Sequence, residues 1–113
     1  MNTNEDAVGY VYFMESGFGG VVKIGYANNP YDRLSNLQTG NPDELHLLAV
    51  IRAPRWMERE MHRKFRNEHI GGEWFAPTVN LWNLIEKHWC YDDKHGYRKH
   101  SVVGDIVRTE VIG

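Results

Sequence analysis

Residues 10–25 read YVYFMESGFGGVVKIG, two runs rich in aromatic and β-branched residues around a glycine-rich segment. Side chains of a strand alternate between its two faces, so Tyr10 and Tyr12 share one face and Val11 and Phe13 the other. The glycines between the runs accept the positive φ angles that a chain reversal needs. The stretch therefore predicts a β-hairpin with an unusual set of polar groups among apolar ones.

The length and composition of the chain fit one domain with a modest core, since 42% of its 113 residues are hydrophobic. If the chain formed two domains, each would be too small to pack a core of its own. No apolar run approaches the roughly 20 residues that span a bilayer, and residues 1–6 lack the basic and apolar regions of a signal peptide. We therefore expect a cytoplasmic protein with no membrane partner. The lone Cys90 excludes an internal disulfide and a zinc site of several cysteines.

The charge is uneven along the chain, although its net value is only −2. Residues 52–69 hold six Lys or Arg against three Glu, a local balance of +3. Such a segment fits contact with a phosphate backbone, and the alternative is a solvated helix face with Glu–Arg pairs. Its outward arginines, Arg59, Arg63 and Arg66, are the candidates for substrate binding.

Capping and helix-breaking residues predict three helices, at about residues 30–39, 55–68 and 79–88. Asn29 is typical of a helix start, and Gly40 of the residue after a helix end. In the second helix Glu58, His62 and Phe65 fall on one stripe at 100° per residue. A carboxylate and an imidazole thus border the apolar face of that helix.

Extended segments separate and follow the helices. The run ELHLLAVIR, residues 44–52, is strongly apolar, which predicts a central strand buried on both faces. Trp74 and Phe75 predict a short extended segment in the core. Residues 91–100 are polar and basic, typical of a loop, and residues 101–112 predict a terminal hairpin or an added edge strand. The chain therefore divides into a domain, residues 1–90, and an extension, residues 91–113, whose strands offer a route to homodimerisation.

Several short motifs appear in an order that resembles the GIY-YIG nuclease superfamily, in particular a small phage-type branch whose second motif reads KIG. The motifs are Tyr10-Val11-Tyr12, Lys23-Ile24-Gly25, Arg33-Leu34, Leu37-Gln38-Thr39-Gly40-Asn41-Pro42, Glu58 with His62 and Phe65, and Gly72-Glu73-Trp74-Phe75. Each motif is weak alone. Their order and spacing over residues 10–75 carry the resemblance.

The resemblance implies an α/β (α+β) fold in which helices flank a three-stranded antiparallel sheet, and metal-dependent cleavage of phosphodiester bonds in DNA. It makes Glu58 the ligand of Mg²⁺ or Mn²⁺, Tyr12 the general base for water, and Arg33 the group that holds the scissile phosphate. A hard divalent cation often uses one or two carboxylates beside water and phosphate oxygens, and paired N–H donors suit a phosphate. Tyr10 is a further candidate for contact with the substrate.

Lys23 stands where most members of that family have a second tyrosine. The resemblance places its ammonium where it would lower the pKa of the Tyr12 phenol or bind phosphate. His62, one turn after Glu58, is a candidate for sharing proton transfer or orienting water. The asparagine that follows the glutamate in many relatives has no clear match. The candidates for its place at the substrate are Asn67, Asn80 and Glu73.

A binding module that keeps the fold and hydrolyses little is the alternative function. Taken alone, each candidate residue has a plain structural explanation: strand tyrosines with hydroxyls in solvent, an exposed strand lysine, a surface arginine and an ordinary i, i+4 Glu–His pair. The convergence of five functional groups from three elements favours the endonuclease. Salt-sensitive binding to nucleic acid without cleavage would instead identify the module.

Overall fold

In a computed structural model, an antiparallel sheet lies between helices on its two faces. The structure describes residues 7–17 and 20–88. Its elements are β1 (Val8–Ser16), β2 (Val22–Ala27), α1 (Pro30–Gln38), β3 (Leu45–Pro54), α2 (Trp56–Lys64), β4 (His69–Gly71), β5 (Trp74–Phe75) and α3 (Val79–Lys87). A short 3₁₀ turn, Arg66–Glu68, joins α2 to β4. The mixed α+β class predicted from the sequence is therefore confirmed.

The predicted hairpin is formed by β1 and β2. Tyr12 is paired with Gly25, and Val11 with Tyr26, so the alternation of side chains between the two faces is as the sequence predicts. The strand order of the sheet is β3-β1-β2-β5-β4, and every neighbouring pair is antiparallel. β1 and β2 thus lie inside the sheet.

The sheet has five strands in the described part of the chain, so the prediction of three is wrong. The additional strands, β4 and β5, form a small hairpin whose turn includes Gly72 at a φ of 55°. Strands of three and two residues are too short to show a side-chain alternation in the sequence. β5 pairs only with Val22 and Lys23, so the second half of β2 has β1 on one side and no described strand on the other.

The prediction that residues 44–52 form a central strand is also wrong, because β3 lies at one edge of the sheet. Its first five residues are nevertheless buried. The burial has another source than strand neighbours on both sides: α1 packs on one face of β3, and α2 and α3 pack on the other. A wholly apolar run indicates that both faces of a strand are buried, but it does not indicate where that strand lies in the order of the sheet.

The helices begin close to their predicted positions. The Asn29 side chain accepts hydrogen bonds from two backbone N–H groups at the start of α1, and the Thr78 hydroxyl accepts one at the start of α3. The predicted second helix is too long, because α2 ends at Lys64 and the chain continues in the 3₁₀ turn. Pro54 is the last residue of β3, and α2 begins two residues later, at Trp56.

Two apolar cores lie on opposite faces of the sheet. The larger core contains Val11, Phe13, Val22, Ile24, Tyr26, Leu48, Ala49, Ala53, Phe65, Phe75, Leu81 and Ile85. The smaller core contains Tyr12, Met14, Ala27, Leu34, Leu45 and Leu47. Two tyrosines of the hairpin therefore belong to different cores, Tyr26 with α2 and α3, and Tyr12 with α1.

Two glycines make room for these tyrosines. A Cβ atom on Gly25 would stand 2.4 Å from the hydroxyl oxygen of Tyr12 and 2.5 Å from its Cζ. A Cβ atom on Gly9 would stand 2.4 Å from the hydroxyl oxygen of Tyr26. Real Cβ contacts are essentially never shorter than 3.0 Å, so each phenol occupies the space that a larger residue on the neighbouring strand would fill.

Some expectations lie outside the described residues. The extension, residues 91–113, its terminal hairpin and the homodimer that this hairpin would form belong to them, as does Cys90. Within the described ranges, no helix is long and apolar enough to cross a membrane.

We expect Gly25→Ala to lower the free energy of unfolding by about 1–3 kcal/mol, the usual cost of overpacking, because its methyl group would collide with the Tyr12 ring. The measurement is urea-induced unfolding. Gly71→Ala is the matched control, since nothing lies within 4 Å of a Cβ atom at that position of β4. An equal cost for the two variants would contradict the tyrosine–glycine contact.

Candidate active site

A cleft of about 250 Å³ opens beside the second half of β2, on the side away from β1 that β5 does not reach. Its lining residues come from the end of β2, from α1, from the start of α2 and from the β4–β5 turn. They are Tyr26, Ala27, Asn28, Arg33, Arg55, Glu58 and Glu73. The structure thus brings together Arg33, Glu58 and Glu73, three residues that the sequence assigns to the site.

The open edge of β2 explains why side chains converge here. β5 reaches only to the level of Ile24, whose N–H donates to the Glu73 carbonyl at 2.9 Å. The next two outward carbonyls are met by side chains: His62 Nε2 lies 2.9 Å from the Ile24 oxygen, and Arg33 Nη1 donates to the Tyr26 oxygen at 3.5 Å. Buried backbone groups need partners. Because β5 does not reach these two carbonyls, the His62 imidazole and the Arg33 guanidinium pair with them instead.

Glu58 lies in the first turn of α2 with 18% of its side chain exposed. Burial raises the pKa of its carboxyl group, and the negative charge of Glu73 raises it further. The charges of His62 and Arg55 act in the opposite direction. The Glu58 carboxylate is therefore held close to a second carboxylate at some electrostatic cost.

Glu73, the second carboxylate of the cleft, also contacts Lys23. The Lys23 ammonium lies 2.8 Å from the Glu73 carboxylate, and it also lies over the Trp74 ring at 5.4 Å from the centroid. Only 16% of the Lys23 side chain is exposed. The lysine that begins the KIG motif is thus engaged with a carboxylate.

Tyr12 lies behind the cleft, fully buried against Gly25. Burial raises the pKa of its phenol, while the nearby Arg33 guanidinium lowers it and the carboxylates of Glu73 and Glu58 raise it. The hydroxyl has no partner of hydrogen-bond geometry among the described residues. At neutral pH the phenol is therefore protonated, and Arg33 is the cation that favours its ionisation.

His62 lies one turn after Glu58 and faces β2. The Ile24 carbonyl can only accept a hydrogen bond, so the Nε2 atom of His62 carries a proton and donates it. The same nitrogen lies 3.7 Å from the Glu58 carboxylate, and the ring meets Phe75 edge to face. The contact with the Ile24 carbonyl is shorter than the contact with Glu58, and it links α2 to β2 next to Glu58.

The other predicted substrate contacts lie away from the cleft. Tyr10 accepts a hydrogen bond from Arg52 at 3.4 Å. On the outer side of α2, Arg63 forms an ion pair with Glu60 at 3.3 Å. Exposed positions on the same stretch are held by Arg59 and Arg66. Asn67 and Asn80 line a separate groove between α2 and α3.

Sequence reasoning missed Arg55, Tyr26 and Asn28 as cleft residues. In the sequence, Arg55 is a basic residue at the start of the predicted second helix, and Tyr26 follows the second run of the predicted hairpin. One signal was present: Tyr26 and Asn28 directly follow the KIG motif, and Arg55 lies three positions before Glu58, one helical turn away.

The site offers two carboxylates to a cation. Within residues 7–17 and 20–88, no three side chains of the His, Cys, Asp and Glu types come together as a metal cage. Mg²⁺ commonly keeps several waters and uses one or two carboxylates. Glu58 and Glu73, whose mutual repulsion a divalent cation would relieve, fit that pattern.

We expect Glu58→Gln to raise the melting temperature near pH 8. The folded protein raises the pKa of Glu58, so stability falls as the pH rises from the ordinary value, 4.5, through the raised one. The uncharged glutamine side chain avoids this loss of stability. The higher melting temperature of the variant should disappear below about pH 4.5, where the wild-type carboxyl is protonated in both the folded and the unfolded state. Thermal unfolding across pH measures this, with Glu60→Gln, an exposed carboxylate of the same helix, as control. A lower melting temperature for Glu58→Gln at pH 8 would contradict the assignment.

We expect His62→Leu to lower the free energy of unfolding by about 1–3 kcal/mol, since it leaves the Ile24 carbonyl without a donor. His62→Gln supplies an N–H donor at a similar reach and should recover most of the loss. Chemical denaturation of both variants tests this. Equal losses for the two would show that the hydrogen bond to Ile24 does not stabilise the fold.

No curated protein and no solved structure matches the chain. The family model described as the T5orf172 domain matches residues 9–90, a range that includes every residue of the cleft. This phage-associated domain is connected with nucleases of the GIY-YIG and HNH-like kinds. The match covers well over half of the sequence, and the chain belongs to the T5orf172 domain family.

Proposed function

We propose that the chain is a metal-dependent endonuclease of the GIY-YIG type that hydrolyses phosphodiester bonds in DNA. The observation that carries the proposal is the cleft in which Arg33, Glu58 and Glu73 meet, with Tyr12 behind them. These residues come from β1, α1, α2 and the β4–β5 turn, so only the tertiary fold brings them together. The family match supports a nuclease-like or DNA-binding function in general.

The carboxylates of Glu58 and Glu73 would hold Mg²⁺ or Mn²⁺. The bound cation would neutralise charge on the phosphate and make water a better nucleophile. Both carboxylates line the cleft, and the pKa of Glu58 is raised by burial and by the charge of Glu73. A pair of this kind gains more from a dication than an isolated surface carboxylate does.

Arg33 would bind the scissile phosphate. Its side chain is exposed and reaches the cleft from α1, where Nη1 touches the Tyr26 carbonyl. A guanidinium has five N–H donors, so this one contact leaves others for two phosphate oxygens. Orientation of the phosphate by a fixed fork is the contribution we assign to Arg33.

Tyr12 would act as the base in its phenolate form: the phenol would first lose its own proton to solvent, and its oxygen would then take a proton from the attacking water. Burial opposes this step, because it raises the pKa of the phenol, and the Arg33 guanidinium favours it by lowering that pKa. Ionisation of the Tyr12 phenol therefore depends on the positive charge of Arg33. Arg33 would then have two effects, on the phosphate and on the base.

Lys23 and His62 would act as positioning residues. The ion pair with Lys23 holds Glu73 toward the cleft, and the hydrogen bond from His62 fixes α2 against β2 below Glu58. The resemblance implies that Lys23 lowers the pKa of Tyr12 or binds phosphate, and the sequence makes His62 a candidate for sharing proton transfer or orienting water. Their contacts favour the support of the two carboxylates instead.

A nucleic-acid-binding module is the second candidate. The specific observation in its favour is the burial of the Tyr12 phenol, because a buried phenol with a raised pKa is a poor base. A cleft with two exposed arginines would still bind phosphate. Salt-dependent DNA binding with no cleavage of any substrate in Mg²⁺ or Mn²⁺ would establish this candidate.

We expect cleavage of plasmid, branched and single-stranded DNA to require Mg²⁺ or Mn²⁺ and to stop in EDTA. Glu58→Gln and Arg33→Ala should each lower the rate by about 10²-fold or more, as is common when a group that stabilises developing charge is removed. Gel assays under single-turnover conditions measure the rates. Tyr12→Phe should be as impaired as Arg33→Ala, because the base is then lost.

The control is Lys87→Ala at the end of α3, away from the cleft. It removes one positive charge from the surface and should leave the cleavage rate within about twofold of wild type, the scale of a surface charge change. Cleavage that persists in EDTA, or that is unchanged in Glu58→Gln, would overturn the proposed mechanism.

A further inference from the structure

Tyr26 holds two guanidinium groups at the same cleft. Its backbone carbonyl accepts a hydrogen bond from Arg33 Nη1 at 3.5 Å. Its ring lies under the Arg55 guanidinium, whose Cζ is 4.5 Å from the ring centroid. Arg33 reaches the cleft from α1 and Arg55 from the residue before α2, so one tyrosine fixes two arginines that belong to opposite faces of the sheet.

Tyr26 is itself rigidly placed. Only 7% of it is exposed, and its hydroxyl donates to the Ala7 carbonyl at 3.0 Å. The ring lies so close to Gly9 that a Cβ atom there would stand 2.7 Å from its Cζ. A ring held in this way is a firm platform for a guanidinium, because stacking removes freedom from the arginine side chain before any ligand arrives.

The charges around the cleft single out these two arginines. The Lys23 ammonium is paired with Glu73 at 2.8 Å, whereas among the residues that the structure describes no carboxylate lies within ion-pair distance of Arg33 or Arg55. A contact between a guanidinium and the face of a ring uses none of the five N–H donors, so those of Arg55 stay available to an anion.

We propose that Arg55, stacked on Tyr26, is a second phosphate-binding residue that acts with Arg33 as a two-arginine clamp on the backbone phosphates of DNA. The inference rests on the proposed function for the identity of the anion. It also changes the assignment of the second cation: the phosphate contact suggested by the sequence for Lys23 passes to Arg55, and Lys23 supports Glu73. Tyr26 is the positioning residue of the clamp.

The test is equilibrium binding of the full chain to a fluorescent DNA oligonucleotide in EDTA, measured by anisotropy between about 50 and 200 mM salt, the range over which phosphate contacts dominate. Each phosphate contact contributes close to one unit to the slope of log K against log salt. We expect Arg55→Ala to lower the slope by about one unit and to weaken binding about tenfold at 100 mM salt. Lys87→Ala removes a charge outside the cleft and should keep the wild-type slope. A slope for Arg55→Ala equal to that of Lys87→Ala would overturn the clamp.

The role of Tyr26 has its own pair of variants. Tyr26→Phe keeps the ring and should bind DNA as wild type does, whereas Tyr26→Leu removes the platform and should bind as weakly as Arg55→Ala. Tyr26→Leu also alters the larger core, so Arg55→Lys provides a variant that leaves the core intact. Lys retains the charge and loses the planar fork, and we expect it to keep the salt slope while binding more weakly. Wild-type affinity in Arg55→Lys would contradict a clamp that depends on stacking and paired donors.

The binding and cleavage results separate the two proposals. DNA binding that depends on Arg55, with no cleavage in Mg²⁺ or Mn²⁺, overturns the endonuclease and leaves the clamp in place. Cleavage that requires Glu58, with DNA binding and KM unchanged in Arg55→Ala, overturns the clamp and leaves the endonuclease.

Discussion

The ring of Tyr12 lies against Gly25 on the neighbouring strand, in space that a Cβ atom would need. This contact permits only glycine at that position and fixes the register of β1 on β2, because a slip by one residue would turn every side chain to the opposite face. A matching contact on the other face places Tyr26 against Gly9. The two phenols therefore face α1 and α2 respectively, and each helix supplies polar side chains to the end of β2.

The polar side chains can meet because β5 is short. It pairs with β2 only at Val22 and Lys23, so the sheet has a gap beside Tyr26 through which residues from both faces approach one another. In a sheet with a full-length fifth strand, backbone groups would fill that gap. Here Arg33 and His62 meet the carbonyls of β2 instead, and the same two residues border the cleft or support its carboxylate.

Much of this arrangement could be predicted from the sequence, and the missing parts share a physical cause. Alternation in residues 10–25 and the caps Asn29 and Thr78 are local signals, so the hairpin and the starts of α1 and α3 agree with prediction. The sequence predicts an extended segment at Trp74 and Phe75 but not its place in the sheet, because β5 pairs with a strand more than forty residues away. The place of Glu73, which lies between β4 and β5, could therefore not be derived.

Arg55 illustrates the same limit for a side chain. Its position in the sequence shows a basic residue at a helix start, and only the tertiary fold places it over the Tyr26 ring. The sequence also cannot show which cations are already paired. Lys23 and Arg33 both appear as free positive groups near the motifs, yet the structure neutralises the first with Glu73 and leaves the second at the mouth of the cleft.

Local charge also accounts for how a chain of net charge −2 can be suited to DNA. In and beside the cleft, the charges of Lys23, Arg33 and Arg55 are set against those of Glu58 and Glu73, a formal balance of about +1 before any cation binds. With a dication between the carboxylates the balance would become about +3. The unpaired arginines would attract a phosphodiester without the metal, and a bound dication would strengthen that attraction, so affinity and hydrolysis are separable properties of the proposed site. In the proposed mechanism the carboxylates would determine hydrolysis, and the arginines on Tyr26 would contribute mainly to affinity.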